Sequence, residues 1–237
     1  MLHIAIIFAG GVGSRMGKDT PKQFLMWNGK TIIVQTLEAF EYHESIDEII
    51  IACKEEWIEH LQKLIEDAEL KKVKSVVSGG DSALESQYNA LIEARRLHPN
   101  EDAVVLVHDG VRPLVDYDTI QKNIDCTLEK GNAITSTRAI ETVITIDDDG
   151  EVKDILDRNC CRMAKAPQSF KLSDILSVHE HAIADGCHNF IDSASMMMHY
   201  GHTMHVVEGK PENIKITTPS DYYMYLGITQ EGENRKA

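Results

Sequence analysis

"IAIIFAGGVGSRMGKDTPKQF", residues 4–24, places a solid apolar run directly against a glycine-rich stretch. The run "HIAIIFA" reads as a buried strand, because continuous apolar segments of this length suit a strand covered on both faces. The glycines that follow let backbone N–H groups turn inward and approach an anion closely. A strand ending in such a loop is the opening of a parallel α/β sheet, so the decisive question is what comes next.

What comes next alternates. "TIIVQTLEAFEYH" has helical spacing, "DEIIIAC" reads as a strand, "EEWIEHLQKLIEDAEL" as an amphipathic helix and "VKSVVSGG" as a strand. "SALESQYNALIEARRL" is again helical, and "DAVVLVHDG" is a strand with polar residues at its carboxyl end. This order predicts an α/β fold with a mostly parallel, doubly wound, Rossmann-like sheet, in which ligands sit beyond the carboxyl ends of the strands.

From Arg138 the pattern changes. "TVITIDDDGEVKDIL" is two alternating stretches around an Asp-Gly turn, which predicts a β-hairpin. Residues 138–160 are expected to form a protruding arm within a single domain of residues 1–230, with 231–237 a polar tail. After the arm come a strand near "CRMAKAPQ", a helix from about Leu172 to Ala184, a second opened by Asp192, the strand "HTMHVVEG", and a last helix beginning near Pro219.

Composition narrows the function. The 237 residues carry a formal charge of −14, which argues against broad nucleic-acid binding or attachment to an acidic membrane. The first apolar run is too short to span a bilayer and lacks the flanks of a signal peptide, so a cytoplasmic protein is expected. Five cysteines with no C-x-x-C suggest reduced packing residues. His199, His202 and His205 recur at three-residue intervals, but Gly201 and the change from helix to strand deny them a common face.

The glycine loop is neither of the two common phosphate loops. Gly11 to Gly17 is one residue too long for a Walker A motif, and Met16 stands at the third glycine position of a dinucleotide fingerprint. What remains is Gly10, Gly11 and Gly13 with two cations, Arg15 and Lys22, close by. The pair suits several negative charges held together, as in a triphosphate attacked at its α-phosphorus; the alternative is a tight turn with solvated charges.

"AGGVGSRMGKDTPKQF" resembles the signature of nucleotidyltransferases that activate small phosphorylated alcohols with CTP. Further blocks follow in order: "GGD" at 79–81 with Ser86, "VHDGVRP" at 107–113, "DR" at 157–158, "APQSF" at 166–170 and "ENIKITTPSD" at 212–221. Two branches share them, the 2-C-methyl-D-erythritol 4-phosphate and the ribitol-5-phosphate cytidylyltransferases. "AGG", "HDGVRP" and "APQ", where the first branch usually has Ala-Ala-Gly, "HDAARP" and "TPQ", resemble the ribitol branch.

The resemblance implies in-line attack of an alcohol's phosphate oxygen on the α-phosphorus of CTP, giving a CDP-alcohol and pyrophosphate. It assigns Arg15, Lys22 and Lys215 to the triphosphate and transition state. Ala9, Gly10, Gly11, Gly13, Gly80, Asp81 and Ser86 are assigned to the nucleotide. Asp109, directly after "VVLVH", stands beside the triphosphate and either contacts Mg2+ or pairs with Arg112, three residues on. Arg112, Thr142, Arg158 and Asp192 fall to the acceptor, with Asp192 also a candidate helix cap. In the family the arm crosses into a second subunit, which implies a homodimer whose partner supplies Thr142 and Arg158. Ile191 and Ala166 stand where the erythritol branch usually carries threonines.

Overall fold

The computed structural model describes residues 1–10 and 21–234. Gly11, Gly13 and Arg15 lie outside the described residues. A seven-stranded sheet organises the chain, in the order β11-β7-β10-β6-β1-β4-β5. Its parallel half is β1 (Leu2–Ala9), β4 (Glu48–Cys53), β5 (Val73–Ser78) and β6 (Ala103–Asp109). The other half is β7 (Asn132–Arg138), β10 (Arg162–Lys171) and β11 (Val206–Glu208). Only β10 is reversed, running antiparallel to both β6 and β7. Two short strands, β2 (Met26–Trp27) and β3 (Lys30–Thr31), pair beside the sheet, and β8 (Ile144–Ile146) and β9 (Val152–Ile155) form the arm.

Strand residues alternate between two apolar layers. Ile4, Ile6, Ile50, Val105 and Val107 face helices α3 (Ala83–Leu97), α5 (Leu172–Ala184) and α6 (Ser193–His199). Ala5, Ile7, Ile49, Ile51, Val104 and Leu106 face α1 (Ile32–Glu41), α2 (Ile58–Asp67) and α4 (Tyr117–Lys130). Fully burying such side chains contributes about 1.5–3 kcal/mol each, and a one-residue slip, which sends every side chain to the opposite layer, would undo the packing of both.

Local chemistry starts the helices where the sequence suggests. Thr31, Ser82 and Asp192 each accept a backbone N–H at the first turn of α1, α3 and α6, and Asp192 with Ser195 completes a capping box. The sequence reading left 111–137 unassigned; there Asp116 caps α4, and Gly131, at φ 91°, ends it in the left-handed conformation glycine tolerates. The last helix, α7 (Pro219–Asn234), runs past residue 230, where the polar tail was expected to begin. Among the described residues no helix is long and apolar enough to cross a membrane. Cys53 is buried as expected, whereas Cys160 is exposed on the chain leaving the arm.

Candidate active site

The strand order reverses at β1, which has β4 on one side and β6 on the other, and the crevice beyond their carboxyl ends is the place such sheets bind ligands. A cleft of about 370 Å³ opens there, walled by Ala9 and Gly10 after β1, by Gly80, Asp81 and Ser86 at the start of α3, and by Lys22, Asp109 and Lys215. Six nucleotide or triphosphate positions expected from the sequence thus share one cleft with Lys215 and Asp109. A second cavity of about 200 Å³ adjoins it, lined by Arg112, Ala166, Gln168, Ile191 and Asp192. Asp109, Lys215 and Phe8 line both.

Ser86 holds one wall of the larger cleft in shape. Its hydroxyl accepts from Gly80 N at 3.0 Å and donates to Ser82 O at 2.9 Å, while Gly79 N reaches Cys53 O at 2.7 Å. A Cβ on Gly80 would lie 2.2 Å from Glu85 Cγ, so the turn requires a residue without one. The Glu85 carboxylate in turn accepts from Asp81 N at 2.8 Å. On the opposite wall, buried Gln23 donates to Ala9 O at 2.8 Å, fixing the turn that carries Lys22.

Asp109 is the electrostatic centre. It is 5% exposed, and it accepts from Arg112 Nε at 2.7 Å and Lys215 Nζ at 2.5 Å. Burial works to raise its carboxyl, but the Arg112 and Lys215 charges outweigh that and hold it below the usual range. Both the ion pair with Arg112 and a place beside the cleft are therefore realised. Arg112 also donates to Asn213 O at 3.0 Å. Lys215 is delivered by its neighbour: Ile216 is fully buried and its N–H donates to Val111 O at 3.0 Å. Lysine in the strand-like "NIKIT" thus points into the cleft because the adjacent isoleucine points into the satellite core beneath α7.

The second cavity is shaped by a break in β10. Ala164 pairs with Ser136 and Gln168 with Ile134, so residues 165–167 bulge from the ladder. The carbonyls freed there are taken by Asn213 Nδ2, 2.7 Å from Ala166 O, and Thr135 Oγ1, 2.7 Å from Pro167 O. Gln168 spans the pocket floor, donating to Asp192 at 2.7 Å and accepting from Ala194 N at 3.0 Å. Asp192 is therefore both a cap and a lining residue. Sequence reasoning did not single out Lys54, Lys165, Gln168 or Asn213; the proline in "KAPQ" was the available signal for the bulge.

Thr142 and Arg158 do not join these cavities within one chain. Both are exposed on the arm, where Arg158 donates to Ile140 O at 2.9 Å, not to Asp154 or Asp157, and lines a separate hollow with Arg138 and Arg162. The arm exposes apolar side chains among its charged ones: Ile140 is 73%, Ile146 60% and Ile155 65% exposed.

A doubly wound α/β domain with a cation-bearing cleft at the switch of strand order, opening into a second anion-compatible pocket, defines a nucleotidyltransferase. Residues 3–228 match the 2-C-methyl-D-erythritol 4-phosphate cytidylyltransferase (IspD) family, and the chain belongs to it. It is 46% identical over 237 residues to a ribitol-5-phosphate cytidylyltransferase of Streptococcus agalactiae serotype V, covering 100% of this chain and 98% of that one. It is 38% identical over 219 residues to a 2-C-methyl-D-erythritol 4-phosphate cytidylyltransferase of Clostridium tetani, covering 92% and 87%. Among solved structures, 4-diphosphocytidyl-2C-methyl-D-erythritol synthase from Anaerococcus prevotii superposes with a TM-score of 0.83 at 26% identity, covering 96% of each chain.

Proposed function

We propose that this chain transfers the cytidylyl group of CTP to ribitol 5-phosphate, releasing pyrophosphate and forming CDP-ribitol. The observation that carries the reading is the meeting of two cavities at the Asp109–Lys215 pair. A nucleotide in the larger cleft and an alcohol phosphate in the smaller one place an attacking phosphate oxygen next to an α-phosphorus. The name of the 46% identical relative supports ribitol phosphate, as does the cavity lining, where neither Ala166 nor Ile191 offers a hydroxyl.

The protein's part is positioning and charge. Gly80, Asp81 and Ser86 line the cleft where the base would lie, on a turn held by its own hydrogen bonds, and base choice rests on polar contacts along that wall. Lys22 and Lys215, with Arg15, meet the triphosphate and the negative charge that grows on the α-phosphate oxygens as the new P–O bond forms and the bond to pyrophosphate breaks. Lys215 reaches this task from its ion pair with Asp109, which holds the ammonium at the junction before substrate arrives.

Two of the lone-pair positions of the Asp109 carboxylate are engaged, which leaves others for a hard cation whose remaining ligands are phosphate oxygens and water. Asp109 is thus the residue that would hold Mg2+, which when bound neutralises phosphate charge. The arm's exposed isoleucines are the surface through which two copies pair, bringing Thr142 and Arg158 to the partner's acceptor pocket.

Pyrophosphate release from CTP with Mg2+ tests the reading, with ribitol 5-phosphate and methylerythritol 4-phosphate offered separately and the other nucleotides as controls. Turnover with ribitol phosphate and little with methylerythritol phosphate is expected. Equal use of the two, or the reverse preference, overturns the substrate assignment while leaving the reaction.

A further inference from the structure

We propose that Lys165 binds the phosphate of the acceptor, forming with Arg112 a cationic floor that the chain supplies to its own pocket. This rests on the reading of the smaller cavity as the acceptor site. Lys165 lines that cavity and belongs to the bulge of β10, the segment the ladder releases. Among the described residues its Nζ meets only two backbone carbonyls, Asn213 O at 3.1 Å and Pro211 O at 3.3 Å. The same Asn213 oxygen accepts from Arg112, so two cations converge on one neutral acceptor.

Charge makes this arrangement informative. Arg112, Lys165 and Lys215 line the smaller cavity with two carboxylates; Asp109 is taken by Arg112 and Lys215 and Asp192 by Gln168, so among the described residues Lys165 has no carboxylate within hydrogen-bond reach. Burial and then the neighbouring Arg112 lower the Lys165 pKa, with Glu212 only partly opposing them, a cost that a nearby dianion would lessen. The chain as a whole carries −14, so three cations gathered on one cavity are a local departure from its charge. A phosphomonoester dianion matches these cations in sign and can take donors from more than one of them. The neutral carbonyls fix the ammonium without neutralising it, which is what an anion subsite requires.

A rival role is purely structural. Through Pro211 and Asn213, Lys165 also fastens the segment that leads to Lys215, so loosening it would disturb the triphosphate side as well. The two roles separate in kinetics. With Lys165→Met, the KM for ribitol 5-phosphate is expected to rise tenfold or more while the KM for CTP stays within twofold, and Lys165→Arg retains most of the wild-type affinity. An unchanged KM for ribitol 5-phosphate, or a parallel rise for CTP, overturns the proposal.

A second readout does not depend on which alcohol is used. Inorganic phosphate is titrated calorimetrically into wild type and Lys165→Met, each saturated with CTP and without acceptor. Tenfold weaker phosphate binding by the variant supports the subsite. Equal affinities, or no phosphate binding by wild type, overturn it. Should wild type bind phosphate through Lys165 yet turn over no ribitol 5-phosphate, the substrate assignment falls and the subsite stands.

Discussion

Two histidines sealed inside the domain make its stability depend on mild acid. His108 is fully buried behind the site; its Nε2 donates to Arg112 O at 3.2 Å, and its Nδ1 has no partner among the described residues. His179, 4% exposed on α5, leaves Nε2 without a partner among the described residues. Burial lowers each to about 4, and for His108 the neighbouring Asp109 only partly opposes it. An unfolded histidine titrates near 6.5, so between these values the unfolded chain binds more protons. The stability from keeping both neutral is therefore full above about pH 6.5 and is lost as pH falls toward 4. From pH 7.5 to 5.0 the linkage amounts to about 2 kcal/mol for each histidine, or about 4 kcal/mol together. Carboxylates with ordinary pKa values near 4 add little by pH 5, while His43, also lowered by burial, acts in the same direction. Urea unfolding followed by circular dichroism at the two pH values measures the difference. His179→Leu, which removes one titrating group from an apolar site, is expected to lessen the loss by about 2 kcal/mol. The reasoning fails if wild type and variant lose the same stability, or if wild type is no less stable at pH 5.0.

Lys22→Ala and Lys215→Ala are each expected to lower kcat on the order of several hundredfold, as removing a transition-state charge contact does; a loss below about tenfold in steady-state pyrophosphate release shows that other groups carry the charge. Gly80→Ala, which drives a methyl group against Glu85, is expected to weaken CTP binding about tenfold by calorimetry, since the turn must open; unchanged affinity contradicts the role given to that turn. Ile146→Asp with Ile155→Asp is expected to yield monomers in sedimentation and to depress activity with the alcohol phosphate, and a dimer that persists removes the arm from the interface.

The parallel half of the sheet was legible because each strand is a solid apolar run between amphipathic helices, a pattern with one economical layout. Helix starts were legible where a capping side chain announced them, as at Thr31 and Asp192. The segment forming α4 and β7 was not, because "NAITSTR" is polar for a buried strand; it is stabilised by side-chain bonds such as Asn123 to Thr135 at 2.8 Å that no periodicity reveals. The reversal of β10 follows from the hairpin arm, which sends the chain back the way it came, but local sequence does not say that it then inserts beside β6. Among the site residues, those on loops after strands were readable. Gln168 and Asn213 were not, since their roles depend on a bulge that sets Gln168 against Asp192 and frees the Ala166 carbonyl for Asn213.

The two cavities draw on different lengths of polypeptide. Apart from Lys215, the nucleotide cleft is built from residues 8–111, whereas the acceptor pocket takes its distinctive wall from residues 164–193. A crossover between relatives at the end of the arm would therefore exchange that wall, with Lys215, while Arg112, Thr142 and Arg158 stayed with the larger cleft. The wall around one bulge can thus vary by a handful of changes while residues 8–111 of the larger cleft stay as they are.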